Sequence, residues 1–127
     1  MSIDSDIFAA LQAYAGLTTL IGSGSSTRAW PDEAPQDAAF PLVVISRIAG
    51  IEENHLGGST NLLNCRYQFS CWGRTFDSAV AVADAVRAAM QAATAFQCVI
   101  LNSFAGPVEP QLKLYHRIVE FSTWSAL

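Results

Sequence analysis

From Leu63 to Cys71 the chain alternates without a break. Leu63, Cys65, Tyr67, Phe69 and Cys71 fall on one side, and Asn64, Arg66, Gln68 and Ser70 on the other. Period-two alternation with aromatic enrichment predicts a strand that sets one face on a core and turns the other toward solvent or a partner. Trp72 interrupts the polar row, and Gly73-Arg74-Thr75 then turns the chain toward a helix. A second run, about Leu112 to Trp124, places Tyr115, Val119, Phe121 and Thr123 on its predicted core side. Its other row, Leu112, Leu114, His116, Ile118, Glu120, Ser122 and Trp124, is too apolar for a solvated face. Two explanations stand: a second layer of the same chain covers this row, for instance the first helix, or the row is a subunit interface rich in aromatic residues.

The remaining elements follow from helical periodicity and from glycine and proline. Asp4 or Ser5 caps a helix running to about Tyr14, with Ile3, Ile7, Leu11 and Tyr14 in one stripe and Gly16 as its stop. Leu17 to Ile21 add a short turn against the same core. Gly22 to Ser26 read as a flexible loop; the P-loop lysine is missing and no strand leads in, so phosphate binding is disfavoured. Pro31, Pro35 and Pro41 predict an extended surface strap over Trp30 to Pro41, followed by a buried strand from Leu42 to Ile48. Gly50 to Thr60 link that strand to the central one as a long hairpin loop. Thr75 caps a second helix over about Phe76 to Ala93, with Phe76, Ala79, Val80, Ala83, Val86 and Met90 inward. Asp77, Asp84 and Gln91 mark its outer face, where Ala81 and Ala88 leave a flat patch fit for close approach by another surface. Phe96 to Phe104 predict a third strand, before a turn at Gly106-Pro107. The expected fold is α+β: a mostly antiparallel four-stranded sheet with two helices packed on one face, in the order α-β-β-α-β-β. It forms a single domain over 1–127, with mobile loops at about 22–40 and 50–61.

Composition narrows the function classes. Half the 127 residues are apolar and 14% are charged, which disfavours disorder and leaves surface for contact. Net charge is −4, with seven Lys and Arg residues scattered along the chain, so stable binding to a nucleic-acid backbone is disfavoured. Cys65 and Cys71 share one side of one strand at roughly 20 Å, too far to bridge, and with Cys98 they read as free thiols in a reducing compartment. The first residues lack a basic segment followed by an apolar run, and no stretch approaches a membrane span, so cytoplasmic synthesis is expected. Glu52, Glu53, Asn54 and His55 invite a metal, yet a loop tip without supporting contacts makes a poor site; a solvated or partner-seeking loop fits better. Cys98 or Cys71 with His116 would be the candidate catalytic pair, but nothing local activates a thiol or orients the imidazole. The expectation is a protein that is not an enzyme, without cofactor or metal.

The order of signals carries a resemblance. Pro35-Gln-Asp-Ala-Ala-Phe-Pro41 leads into Leu42-Val-Val-Ile45; Gln68-Phe-Ser-Cys-Trp72 precedes a helix opening Thr75-Phe-Asp-Ser-Ala79; Ala83-Asp-Ala-Val-Arg87 follows; and Leu114-Tyr-His-Arg-Ile-Val-Glu-Phe-Ser-Thr-Trp124 closes the chain. Over nearly its whole length this resembles the tail completion, or tail terminator, family of long-tailed bacteriophages and gene transfer agents. The resemblance implies a virion protein forming a ring, a hexamer, on the last ring of the tail tube. That ring would end tube polymerisation and offer a surface for head-tail joining. Its implied partners are copies of itself, the tail tube protein and the neck proteins, with DNA passing through the channel unbound and no membrane involved. No catalytic or cofactor residue comes with it. The expected interface residues are Glu52, Glu53, His55, Trp72, Ala81, Ala88, Ile118 and Trp124. The rival readings are a head-closure or other neck or minor tail protein of the same virion, and a small non-catalytic interaction module.

Overall fold

The computed structural model describes residues 3–55, 58–106 and 114–126, with Ile3, Ser25, Ala126 and the strand residues between 49 and 62 described by backbone alone. Its elements are α1 (Ile3–Ala13), α2 (Ala15–Ile21), a 3-10 turn (Gly24–Ser26), β1 (Ala29–Pro31), β2 (Leu42–His55), β3 (Gly58–Gly73), α3 (Phe76–Ala92), β4 (Gln97–Ala105) and β5 (Tyr115–Ala126). The strands lie side by side as β1-β2-β3-β5-β4. β1 runs parallel to β2, and every other neighbour pair is antiparallel.

This corrects the expected four-stranded antiparallel sheet with two helices. The sheet is five-stranded and mixed, and three helices give the order α-α-β-β-β-α-β-β. The extra strand sits inside the proline-punctuated strap, where Pro31 is tolerated because β1 is an edge strand and needs no donor outward. Backbone bonds from Val43 N to the Arg28 carbonyl (2.9 Å) and from Asp32 N to the Ile45 carbonyl (2.9 Å) hold it. The Arg28 guanidinium also reaches the carbonyls of Pro41 (2.9 Å) and Leu20 (2.8 Å), joining both ends of the strap to the end of α2.

The extra helix arises because the first one breaks at Tyr14, which is extended (φ −96°, ψ 105°). Gly16, expected as a stop, lies inside α2 instead; a Cβ there would sit 2.7 Å from the Tyr14 ring. Gly22, at φ 88°, ends α2, a left-handed conformation that glycine accepts readily.

The core lies between the three helices and one face of the sheet. Ile7, Leu11, Leu17, Ile21, Val82, Val86 and Met90 meet Val43, Ile45, Cys65, Tyr67, Phe69, Cys71, Val119 and Phe121. The inward rows are therefore those the alternation predicts from Cys65 to Cys71 and from Val119 to Thr123, whereas Leu63 and Tyr115 are only half-buried. Phe69 and Phe121 pack edge to face at 5.7 Å, worth about 0.5–1.5 kcal/mol beyond their buried area. Thr123 is buried beside them and donates its hydroxyl to the Cys65 carbonyl at 3.0 Å.

The inward stripe of α3 is Ala79, Val82, Ala83, Val86, Ala89 and Met90. Phe76 is not part of it: it is 52% exposed and meets Tyr115 edge to face at 6.5 Å. The stretch Gly50 to Thr60 is not merely a loop, since β2 and β3 stay paired out to His55 and Gly58. Their ladder rests on backbone bonds, so the polar composition did not reveal it. A bulge between Arg47 and Ala49 leaves Ile48 unpaired. The predicted Gly106-Pro107 turn and the start of the last strand at Leu112 extend into residues outside the described ones.

Candidate assembly surfaces

The second face of the sheet is built from Leu42 and Val44 of β2, Asn64, Arg66, Gln68, Ser70 and Trp72 of β3, His116, Ile118, Glu120, Ser122 and Trp124 of β5, and Gln97, Val99, Asn102 and Phe104 of β4. The strap from Asp32 to Phe40, not the first helix, lies over one end of this face. Between strap and sheet is a groove of about 410 Å³ lined by Pro35, Phe40, Leu42, Val44, Trp72 and Leu114, among others. The Arg74 guanidinium sits 4.9 Å from the Phe40 ring centre, a cation–π contact that pins the strap's end.

Beside the groove, Trp72 and His116 face each other across β3 and β5 and stack at 3.9 Å, 9° from coplanar. Both His116 nitrogens are buried without a hydrogen-bond partner among the described residues, and burial lowers its pKa from the ordinary value. A side chain on Gly106 would run into the imidazole, while the Gly106 N–H donates to the His116 carbonyl at 2.7 Å.

In the middle of this face Ile118 is 7% and Glu120 8% exposed within the single chain. The Glu120 carboxylate pairs with Arg66 at 3.3 Å. Asn64 donates to Ser122 Oγ (2.8 Å) and to the Thr123 carbonyl (2.9 Å), beside a partly buried Trp124.

Among the described residues, three of the five exposed large apolar side chains lie on one edge strand of the sheet. β4 pairs with β5 alone among the described residues, and Val99 (57% exposed), Leu101 (48%) and Phe104 (37%) all lie on it. None of its residues, Gln97 to Ala105, carries a charge.

The expected interface residues thus fall in three places. Trp72, Ile118 and Trp124 are on the second face, with Ile118 already packed by its own chain. Ala81 is exposed and Ala88 half-buried on α3, which packs on the opposite face of the sheet. Glu52, Glu53 and His55 lie on the outer arm of the β2–β3 hairpin, and their side chains are outside the described residues. Sequence reasoning missed Val99, Leu101 and Phe104. Their uncharged run predicted a strand, but only the strand order makes that strand an edge.

Polar clusters elsewhere look structural. On the core side the buried Tyr67 hydroxyl bonds to Asp4, while Arg47 donates to Tyr67 Oη (3.2 Å) and Asp4 (3.3 Å), which latches α1 to the sheet. Burial first, then the Asp4 hydrogen bond, pushes the Tyr67 pKa up. Full burial pushes the Cys71 thiol up to about 12, and burial also raises Cys65 and Cys98, so all three free cysteines stay protonated at neutral pH. Among the described residues no three His, Cys, Asp or Glu side chains group as metal ligands, and no helix is long and apolar enough to cross a membrane.

No curated protein matches the chain. Among solved structures, a chain from the "Virion of native gene transfer agent (GTA) particle" superposes with a TM-score of 0.74 at 18% identity, over 99% of this chain and 96% of that one. That likeness is one of fold. The model of the family described as "Tail completion protein gp17" matches residues 5–126. The chain therefore belongs to the tail completion protein family and is a structural protein of a phage-type tail.

Proposed function

We propose that the chain closes into a ring, a hexamer, at the head-proximal end of the tail tube, where it stops tube growth and presents a surface to the neck. The observation that carries this reading is the uncharged, apolar edge of β4 in a chain of the tail completion family. An edge of that kind is an association surface, and a ring needs two unlike surfaces per subunit. The second face with Trp72 and Trp124, and the outer side of α3 with Ala81 and Ala88, supply further contacts to copies, tube and neck. The role is non-catalytic, and assembly takes place in the host cytoplasm. DNA passes through the channel unbound, which a net charge of −4 permits. Glu52 and Glu53, on the hairpin arm, face that channel or the tube below, and His55 joins the same interface.

The test is electron microscopy of tails made with and without this chain. Without it, tubes should lose their uniform length and overgrow. Unchanged tail length would remove the stop function, and density from the chain on connector rings but not on tube ends would favour a neck protein. A variant with the hairpin shortened between Ile51 and Leu62 should cap tubes poorly; normal capping would remove Glu52, Glu53 and His55 from the interface.

A further inference from the structure

The sheet has a second open edge. β1 pairs only with Val43 to Ile45, so among the described residues the outer edge of β2 from Ser46 onward carries no neighbouring strand. β1 is a protected edge, short and ended by Pro31, but it leaves this part of β2 bare. At the opposite side of the sheet β4 has neither lysine nor proline, and its one irregularity is the bulge between Ile100 and Asn102.

The two open edges stand at the same height. Following the pairings across the sheet, Gln97 is level with Trp124, Asn64 and Ile51. Asn102 is level with Glu120, Gln68 and Ser46. The free stretch of β4 from Gln97 to Asn102 thus matches the free stretch of β2 from Ser46 to Ile51. The directions also match. β2 and β5 run one way and β3 and β4 the other, so a copy related by rotation about an axis along the strands brings its β2 antiparallel to β4.

We infer that neighbouring copies join edge to edge, β4 of one subunit pairing with Ser46 to Ile51 of the next, so that the sheets continue around the assembly. The occupant of each edge is a second copy of this chain, because one molecule offers both halves of the pairing at one height and in opposite directions. The contact is heterologous and closes by rotation. Main-chain hydrogen bonds supply attraction, and Val99, Leu101 and Ile48 bury apolar surface that the single chain leaves about half exposed. This inference rests on the ring reading.

Hydrogen exchange on the free chain and on tube ends occupied by it tests the pairing. Amides in the segments Gln97–Asn102 and Ser46–Ile51 should exchange at least about tenfold more slowly after assembly. The double variant V99K/L101K changes two exposed side chains, so the free chain should keep its melting temperature while tube-end occupancy falls at least about tenfold. Should the variant melt early, the exchange result on the unaltered chain decides. A ring at tube ends whose two segments exchange as they do in the free chain overturns the edge pairing and leaves the ring reading standing. An unaltered chain that never occupies tube ends overturns the ring reading, and this inference with it.

Discussion

His116 shows how a single residue's surroundings set what it can do. Its ring is stacked on Trp72, both nitrogens are buried, and burial lowers its pKa from 6.5. The folded chain therefore binds this proton less readily than the unfolded chain, and stability rises with pH across the window. The contribution is complete above the ordinary value of 6.5 and is lost as pH falls toward the lower folded value. Urea midpoints of the free chain should drop between about pH 7.5 and about pH 5.5, and His116→Gln should flatten that portion of the profile while tube capping persists. Loss of capping with an unchanged stability profile would point to a role beyond packing. From the sequence His116 was legible as a residue of the second face. Its stack on Trp72 was not, because it needs the Trp72–His116 register across two strands distant in the chain.

Elements were read well where periodicity is long and poorly where caps and edges decide. The alternation from Leu63 to Cys71 gave the correct inward row of β3, because a one-residue slip would have sent every apolar side chain to the wrong face. In α3 the expected stripe begins at the first helical residue, Phe76, whereas the buried stripe starts at Ala79 and includes Val82 and Ala89. The helix start itself is where Thr75 was expected to cap it: its hydroxyl accepts from Ser78 N at 3.1 Å. Thr75→Ala should lower stability by about 1 kcal/mol, read as a shift in urea midpoint with an unchanged slope. A shift within error would mean that packing alone holds the start of α3. β1 escaped notice because three residues around a proline carry no period, and its pairing is set by Arg28 and Asp32 bonding to β2. The outer hairpin was read as loop because its composition is polar, while its strands are held by backbone pairing.

At the scale of the whole molecule, the sequence could supply strands but not their order. That order places β5 between β3 and β4 and so makes the uncharged Gln97–Ala105 segment an edge. Among the described residues the same order leaves β2 without a neighbouring strand on the far side from Ser46 onward. The second face, expected to be either self-covered or an interface, is divided: the strap covers the end around Leu42 and Trp72, Ile118 and Glu120 are packed by their own chain, and exposed apolar area moves out to Val99, Leu101 and Phe104. A chain with two complementary open edges, belonging to a family of tail completion proteins, is suited to closed assembly on the tube. Cryo-electron microscopy of the head-proximal end of the tail measures this most directly. The expected result is a closed ring of this chain capping the last tube ring, with β4 of each subunit continuing into β2 of the next; tube ends that carry no such ring would contradict it.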